Sequence, residues 1–362
     1  MDANLFKPNS HSNFEIRWKL VSGERQEAVR NLLAKHYGIE AVENIEQIDA
    51  FEVRSNNFRI TYGSGKQALL RKHIQHASAQ AVTAIDLLIE KVAEGGVPVP
   101  RVIAAKDGTR FIEEGGSLWQ LYQFIPGNYY RGTLEELEQA SRGVASLHRA
   151  LAALPATDST KSPSWVLPTT ADFEFIFKEA QGDGEPLGVL VRAQKESIVR
   201  RIEDLSLHAE AIKNAGMQMI HADLHPHNFL FDGEVLTAIL DFGDVRPGFR
   251  AADAASACHR LVRQYVVHEG RPWQETLKEG LDIFVTLYQK GFPLPKEELE
   301  LFPEFMELAL LRKVKGNLLK YYEKKPEWPH EVAHKEFIKQ VNLLAEVDVM
   351  KEPLKKIIAE IA

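Results

Sequence analysis

The chain has 362 residues, 44% of them hydrophobic, with 44 Lys and Arg against 51 Asp and Glu and a net charge of −7. This length and hydrophobic content allow a large core and predict two lobes or domains rather than one. The lone cysteine, Cys258, excludes a disulfide framework, and the lack of a basic tract, secretory signal or long apolar window leads us to expect a cytoplasmic protein without nucleic-acid or membrane partners.

The first elements along the chain predict a mixture of helix and antiparallel strands. Ser22 is placed to cap a helix over residues 24–38, whose apolar residues share one face. Three extended runs follow at residues 50–55, 58–63 and 66–73. The turn YGSGKQ predicts a hairpin between the last two, which we expect to be adjacent antiparallel strands.

The GSGK within this turn resembles a phosphate-binding loop. That motif requires a glycine five positions before its second glycine and a Ser or Thr after its lysine. Ile60 and Gln67 stand at those two positions and fail both requirements. We therefore interpret the segment as a hairpin turn, in which the glycines provide the positive φ angles that tight turns need.

The strand-rich pattern continues as far as residue 125. A helix is predicted over residues 78–94, followed by a strand in VPVPRVIAA and a hairpin formed by TRFIEEGG and SLWQLYQFI. Proline and glycine interrupt the pattern at IPGNYYRG, and the sequence beyond is mostly helical. These features predict an α+β fold with lobes at residues 1–125 and 126–362.

The second lobe is predicted to begin with a long buried helix. Thr133 and Glu136 have the spacing of a capping box, and apolar residues then recur every three or four positions as far as Leu154. Residues 155–170 are rich in Pro, Ser and Thr and predict a loop that leads into a helical insertion.

The segment HADLHPHNFLF, residues 221–231, holds three histidines, an aspartate and an asparagine within eight positions. One hypothesis is a zinc site, because His225 and His227 have the His-x-His spacing of a metal-binding strand. Pro226 lies between them, however, and no other compact cluster of His, Asp or Glu stands out in the sequence to complete a cage.

The same segment fits a second hypothesis, the catalytic loop of a kinase. His-x-Asp followed by four residues and Asn is the spacing of that loop, and Asp241 comes thirteen residues after Asn228, at the end of a predicted hairpin. Phosphoryl transfer requires an enzyme to position the donor and to neutralise charge with Mg²⁺. Asn228 and Asp241 offer hard oxygen ligands, and Asp223 can accept the proton of the attacking hydroxyl or orient it.

Residues 219–255, MIHADLHPHNFLFDGEVLTAILDFGDVRPGFRAADAA, resemble the aminoglycoside phosphotransferase, homoserine kinase and choline kinase superfamily, which are small-molecule relatives of protein kinases. The upstream segments ALLRKH, GGVPVPRVI, LYQFIPG and LEQASRGVASLHRAL are similar to that family in the same order, so the resemblance covers residues 45–260. It implies a bilobal protein-kinase-like fold with an antiparallel N-terminal sheet that binds Mg·ATP. The helical C-terminal lobe would then hold the catalytic loop and the site of a small-molecule hydroxyl acceptor.

The resemblance also implies roles for individual residues around the cleft. Asp223 would be the catalytic base, and Asn228 and Asp241 would be ligands of Mg²⁺. The segment that joins the lobes would present the backbone carbonyl of Gln123 and the backbone N–H of Ile125 to the adenine of ATP.

The phosphates of ATP would be held by residues of the N-terminal lobe. Arg71 stands where the family has its phosphate-binding Lys or Arg, and Lys72 must point to the other face of the strand. Ser55 and Asn56 would form the turn over the phosphates. Asp253 resembles the aspartate that supports the catalytic loop, for which helix capping is the plain alternative.

The helix over residues 78–94 departs from the family pattern, in which a glutamate pairs with the basic residue of the strand. Gln80 or Asp86 could replace that glutamate, or the pair could be absent. This departure keeps open an alternative function, a nucleotide-binding relative with weak or no transfer activity.

The sequence does not identify the hydroxyl acceptor, the preference for ATP or GTP, or the oligomeric state. The mild net acidity of the chain is compatible with a cationic substrate. The acidic segment at residues 172–185 could face such a substrate, and a solvated helix face explains it equally well.

Overall fold

A computed structural model describes residues 5–6, 14–48, 56–73, 78–155, 166–325 and 327–361. In these residues a strand-rich N-terminal lobe precedes a mostly helical C-terminal lobe. The predicted α+β fold is therefore confirmed.

The N-terminal lobe is built on one antiparallel sheet. Among the described residues its elements are β1 (Trp18–Leu20), α1 (Glu24–Tyr37), β2 (Val42–Ile48), β3 (Asn57–Tyr62), β4 (Lys66–Lys72), α2 (Ala79–Glu94), β5 (Val102–Ile103), β6 (Ile112–Glu114) and β7 (Ser117–Gln123). The strand order is β1-β2-β3-β4-β7-β5, with β6 paired to β7. All of these pairings are antiparallel.

Both hairpins predicted for this lobe are confirmed. Strands β3 and β4 pair with Asn57 opposite Arg71, and β6 pairs with β7. The sheet also contains β1 and β2, which the sequence patterns did not reveal. The strand predicted at residues 50–55 lies outside the described residues.

The start of α1 corrects one detail of the sequence analysis. Gly23, not Ser22, is the residue at which the helix begins, and it has a φ of 64°. Glycine adopts this left-handed conformation without the steric cost of a Cβ atom, which explains why the chain turns there. Helix α2 agrees with its predicted bounds, because the Ser78 side chain accepts a hydrogen bond from the Ala81 N–H at 3.1 Å.

The C-terminal lobe is mostly helical. Its described elements are β8 (Asn128–Tyr129), α3 (Leu134–Ala152), α4 (Ala171–Gly182), α5 (Pro186–Leu207), α6 (Ala209–Lys213), β9 (Met217–Ile220), β10 (Phe229–Asp232), β11 (Val235–Ile239), β12 (Arg246–Phe249), α7 (Arg250–Glu269), α8 (Trp273–Gly291), α9 (Lys296–Leu299), α10 (Phe302–Tyr322) and α11 (His330–Ile361). Within the described ranges, none of the helices combines the length and the hydropathy that a membrane span requires.

Two hydrophobic cores hold the described residues together. The smaller core lies in the N-terminal lobe and includes Leu33 and Leu70. The larger core fills the helical lobe, and it also includes Ile89 and Val92 of α2. Helix α2 therefore packs against the C-terminal lobe, and the lobe boundary after residue 125 stays a prediction.

Short strands place the loop at residues 221–228 beside the connection between the lobes. Strand β9 pairs with β12, and β10 pairs with both β11 and β8. The connection passes very close to β10 at Gly127, where an added Cβ would lie 2.7 Å from the backbone oxygen of Phe231. The loop at residues 221–228, between β9 and β10, thus lies near the cleft.

Candidate active site

A buried carboxylate stabilises the loop at residues 221–228. Asp253 of α7 accepts hydrogen bonds from the backbone N–H of His221 at 2.8 Å and of Ala222 at 3.0 Å. Ala222 has a φ of 67°, a conformation that is rare for a residue with a side chain. These two bonds stabilise the sharp turn that presents Asp223.

Asp253 is itself fixed by a chain of side chains. The Nε2 of His148 lies 3.1 Å from a carboxylate oxygen of Asp253, and the Nδ1 of His148 lies 2.7 Å from the hydroxyl of Tyr288. Burial acts to raise the pKa of Asp253, but the contact with His148 and the hydrogen bond from the His221 backbone N–H outweigh it and leave the pKa below its usual range. Asp253 therefore does more than cap a helix, because its carboxylate binds two backbone N–H groups of the loop and His148.

His221 connects the loop to the hairpin that carries Asp241. Its Nε2 lies 2.9 Å from the backbone oxygen of Leu240, which requires a proton on that nitrogen. Burial lowers the pKa of His221, so the ring is neutral, and its hydrogen bond to Leu240 braces the loop. Among the described residues no donor reaches its buried Nδ1.

Asp223 lies beside His225. The two side chains are 3.3 Å apart, and the Nδ1 of His225 accepts a hydrogen bond from the backbone N–H of His227. The proton of a neutral His225 ring therefore sits on Nε2, facing Asp223. Burial alone would raise the pKa of Asp223, but His225 and the positive charge of Lys313 lower it to about 2.

Asn228 is buried and tied to the loop by its amide nitrogen. Its Nδ2 donates to the backbone oxygen of Asp223 at 2.7 Å, and its backbone oxygen accepts from Leu240 at 2.9 Å. No donor among the described residues bonds to the Oδ1 of Asn228. This oxygen is therefore available as a ligand for a cation.

Asp241 follows β11 in the left-handed conformation, with a φ of 60°. Its Oδ1 lies 3.2 Å from the Nη2 of Arg71 on β4, across the cleft. Lys72 points to the other side of the sheet, where its Nζ lies 5.4 Å from the centre of the Trp119 ring. The alternation of side chains along β4 thus brings Arg71, and not Lys72, to the cleft.

A cavity of about 280 Å³ lies between the lobes, and we call it the interlobe cavity. Its walls bring together residues from the sheet, the connection and the catalytic-loop region. They include Arg71, Tyr122, Gln123, Ile125, Asn228 and Asp241. Five of the residues with predicted roles therefore meet at one cavity, namely Arg71, Gln123, Ile125, Asn228 and Asp241.

The connection between the lobes offers backbone groups to this cavity. The N–H of Gln123 donates to the backbone oxygen of Arg101 at 2.8 Å, which anchors the end of β7. The N–H of Ile125 makes no hydrogen bond within the described residues. The Tyr122 hydroxyl donates to Gln120 at 2.6 Å, and burial raises the pKa of Tyr122 to about 12, so the ring stays neutral.

The two residues predicted for the turn over the phosphates have different outcomes. Ser55 lies outside the described residues. Asn56 precedes β3, and its backbone oxygen accepts from Lys72 at 2.8 Å. The neighbouring Asn57, and not Asn56, is part of the wall of the interlobe cavity. The sequence analysis missed Asn57, although its place opposite Arg71 follows from the hairpin register.

Helix α2 does not supply a partner for Arg71. Asp86 is buried and makes a two-pronged ion pair with Arg110, which also bonds to Glu90 at 2.7 Å. Gln80 is exposed. Of the two candidate replacements for the family glutamate, Asp86 is therefore committed elsewhere, and Arg71 pairs with Asp241 instead.

The histidines of the loop do not converge as a metal cage would. The His225 and His227 rings are 5.7 Å apart, and His227 stacks on Phe14 at 5.9 Å. Across the part of the chain that the structure describes, no group of three or more His, Cys, Asp or Glu residues could hold a metal ion. The zinc hypothesis therefore has no support in these residues.

A second cavity, of about 250 Å³, lies on the other side of Asp223. We call it the basic cavity because four cationic side chains contribute to its wall. Its charged residues are Asp223, Arg246, Arg260, Arg312 and Lys313. No sequence motif indicated these cations. Arg260 offered one signal, because it lies in a helix whose neighbouring positions are almost all buried, which is an unusual place for a charge.

Comparison with known proteins agrees with this geometry. Residues 48–289 match the phosphotransferase enzyme family, and this match covers more than half of the chain. The chain belongs to the phosphotransferase enzyme family. The resemblance inferred from the sequence is thereby confirmed.

One curated relative of this phosphotransferase is the homoserine kinase of Xanthobacter autotrophicus. It is 29% identical over 232 residues, which make up 62% of this chain and 65% of the relative. The match thus spans slightly less than two thirds of the length of that kinase.

Solved structures of other proteins share this fold. A spectinomycin phosphotransferase in complex with ADP and spectinomycin has a TM-score of 0.67 at 13% identity, covering 90% of this chain and 98% of that one. A microcompartment-associated aminopropanol kinase has a TM-score of 0.59 at 20% identity, covering 89% and 96%. At these identities the likeness concerns the fold alone, and it confirms the bilobal architecture.

Proposed function

We propose that this protein transfers the γ-phosphate of Mg·ATP to a hydroxyl of a small molecule. The observation that carries this proposal is the position of the catalytic loop between two cavities. Asn228 and Asp241 belong to the wall of the interlobe cavity, and Asp223 belongs to the wall of the basic cavity. Such a division places a phosphate donor on one side of the loop and an acceptor on the other.

The residues of the interlobe cavity suit a magnesium nucleotide. The Asn228 amide oxygen and the Asp241 carboxylate would hold Mg²⁺, which commonly takes one or two protein ligands and completes its shell with phosphates and water. Arg71 would contact the phosphates, and Gln123 and Ile125 would bind the adenine through their backbone groups. When bound, Mg·ATP supplies the phosphoryl group and the neutralising charge.

Asp223 would act on the acceptor. Its lowered pKa keeps the carboxylate ionised, so that it would accept a hydrogen bond from the hydroxyl and orient that oxygen toward the γ-phosphorus. The hydroxyl proton would pass to Asp223 only as the new oxygen–phosphorus bond forms and the bond between that phosphorus and the ADP oxygen breaks. Two hydrogen bonds that the loop N–H groups donate to Asp253, and one that Asn228 donates to the backbone oxygen of Asp223, position this carboxylate.

The known relatives support the same reaction class. The curated relative is named homoserine kinase, and two proteins of the same fold are named aminopropanol kinase and spectinomycin phosphotransferase, the latter bound to ADP. All three names denote phosphoryl transfer to a small molecule. The acceptors differ widely in charge and size, so the names do not identify the acceptor of this chain.

The proposal is tested by measuring ADP formation from Mg·ATP with a panel of small hydroxyl compounds. Stoichiometric ADP and phosphorylated product are the expected result, and they should be absent when Mg²⁺ is chelated. The alternative is a nucleotide-binding protein without transfer, which the lack of an α2 partner for Arg71 in the described residues favours. Tight binding of Mg·ATP with no product from any compound would support that alternative.

A further inference from the structure

The basic cavity lies against the carboxylate of Asp223 and is formed by three separate elements. Arg246 comes from β12, Ser256 and Arg260 from α7, and Lys313 from α10. The loop adds Asp223 and His225, α7 adds His259, and most of the remaining wall is apolar, including Leu224 and Leu310. The cavity thus combines a small apolar surface with a concentration of positive charge.

The charges in this cavity are strongly unbalanced. Arg246, Arg260, Arg312 and Lys313 share the cavity wall with one acidic side chain, that of Asp223, and Arg246 also lies 3.8 Å from the carboxylate of Asp244. Other buried or half-buried arginines of the same lobe make close ion pairs with carboxylates. Arg263, one turn after Arg260 on α7, contacts Glu346 at 2.9 Å, and Arg250 contacts Glu298 at 2.8 Å.

Two of the cavity cations have no such partner. Arg260 is half-buried, and it makes no hydrogen bond or ion pair with any described residue; the same is true of the exposed Lys313. The Nε of Arg246 is buried and has no hydrogen-bond partner in the described part of the chain. A buried cationic donor without a partner is costly, so Arg260 and the Nε of Arg246 are expected to bind a group outside the described residues, which an anionic ligand would supply.

The crowding of positive charge lowers the pKa values of two cations of the cavity, Lys313 and Arg260. The positive charge of the nearby Arg260 is the main cause that lowers the pKa of Lys313 to about 8. Burial and the neighbouring Arg263 lower the pKa of Arg260. Folding alone does not favour such mutual repulsion, and sites that break the usual rules of charge pairing are commonly functional.

We propose that the hydroxyl acceptor is a small anion, an alcohol that also carries a carboxylate or phosphate group. Arg260, Arg246 and Lys313 bind its anionic group, and Asp223 binds its hydroxyl. This inference rests on the proposed phosphotransferase function, and it identifies the class of acceptor. A guanidinium group binds a carboxylate or phosphate through paired N–H donors, whereas polycationic acceptors such as aminoglycosides would be repelled.

The proposal is tested by calorimetric titration of the whole protein with hydroxyl compounds of similar size and different charge. D-glycerate and glycerol 3-phosphate provide the two anionic groups, glycerol is neutral, and ethanolamine is cationic. We expect at least one of the two anions to bind, and glycerol and ethanolamine to bind much more weakly. Preference for ethanolamine, or the lack of binding by both anions at millimolar concentrations, would overturn the proposal.

Variants of single cations show whether the binding uses this cavity. We expect Arg260→Gln to weaken anion binding by about tenfold to a hundredfold, which corresponds to the loss of one charge-assisted hydrogen bond. The matched control is Arg200→Gln, which removes an exposed arginine of α5. Equal affinities in the wild type and Arg260→Gln would contradict the assignment. Lys313→Gln, at an exposed position, provides a second test that does not depend on how the protein tolerates a change at Arg260.

The outcomes separate this inference from the proposed function. Anion binding that depends on Arg260, with no ADP formed from any hydroxyl compound, would leave the anion site intact and refute phosphoryl transfer. Phosphorylation of ethanolamine without anion binding would support phosphoryl transfer and refute the anionic acceptor. In addition, an anion in the cavity should raise the pKa of Lys313, which is measurable as slower labelling of that amine at fixed pH.

Discussion

Arg71 and Asp241 are 170 positions apart in the chain, and their side chains meet at 3.2 Å across the cleft. Both are partly exposed, at 37% and 49%, so the pair contributes only about 0–1 kcal/mol to folding. Its importance is geometric, because it places a cation of the N-terminal sheet beside a carboxylate of the C-terminal lobe. Phosphates held by the one and Mg²⁺ held by the other would be neighbours.

Substitution of Arg71 should weaken nucleotide binding without unfolding the protein. We expect Arg71→Ala to raise the Kd for Mg·ATP by about tenfold to a hundredfold, since one or two charge-assisted hydrogen bonds are lost. Lys72→Ala is the matched control, because Lys72 is the next residue and lies over Trp119. Calorimetry on both variants checks this, and an equal loss of affinity in the two would show that Arg71 has no special contact.

Replacement of Asp241 should remove the dependence of nucleotide binding on the metal. In Asp241→Asn one of the two proposed oxygen ligands loses its charge, so addition of Mg²⁺ should no longer strengthen ATP binding. Titrations with ATP in Mg²⁺ and in EDTA measure this difference. Asp232→Asn, at an exposed position of β10, should keep the wild-type response. A full Mg²⁺ effect in Asp241→Asn would exclude the ligand role.

The sequence was sufficient for those parts of the site whose spacing along the chain determines their spacing in the fold. Asp223, Asn228 and Asp241 lie within one loop and one hairpin, so their order predicts their proximity. The role of Arg71 could be predicted only from the family resemblance, because no local sequence pattern indicates that Arg71 lies near Asp241. Asn57 was found only from the structure, where its pairing with Arg71 in the hairpin places it in the wall of the interlobe cavity.

The basic cavity could not be predicted in the same way. Arg246, Arg260 and Lys313 come from three elements, and their meeting depends on how α7 and α10 pack. Asp86 shows the same limit, since its partner Arg110 is 24 positions away. The mildly acidic net charge was also a poor guide, because the charge around Asp223 is locally positive.

Asp223 is predicted to be needed for turnover and not for nucleotide binding. Asp223→Asn keeps the size of the side chain and removes its basicity, so we expect kcat to fall by about 10²- to 10⁴-fold. The Kd for Mg·ATP should change little, because Asp223 belongs to the wall of the other cavity. Steady-state kinetics combined with calorimetry checks both statements. A normal kcat in this variant would refute the assigned role.

Asp253 is predicted to stabilise the fold as well as the loop. Asp253→Asn replaces one acceptor oxygen by a donor that faces a backbone N–H or His148, so we expect a loss of about 2–4 kcal/mol in the free energy of unfolding. Urea denaturation measures it, with Asp204→Asn on the exposed face of α5 as control. A loss no larger than in the control would contradict this role.

The pH dependence of that stability has a definite sign. The pKa of Asp253 is lower in the folded than in the unfolded state. Its contribution is therefore fully present above the unfolded pKa of about 3.9 and is lost as the pH falls through the folded value. Wild-type stability should thus decline in acid more steeply than that of Asp253→Asn.

The acceptor affinity should depend on pH through Lys313. Its pKa of about 8 reflects the charges that surround it, namely Arg260 on α7, Lys339 and Glu336 on α11, and Asp223 on the loop. Below that pH the ammonium is charged and attracts an anionic acceptor, and above it the charge is lost. The KM for the anionic acceptor should therefore rise as the pH increases through about 8, while the KM for Mg·ATP stays constant over the same range. Lys313→Arg keeps its charge at all of these pH values, so its KM should not show this rise. A rise of the same size in Lys313→Arg would assign the effect to another group.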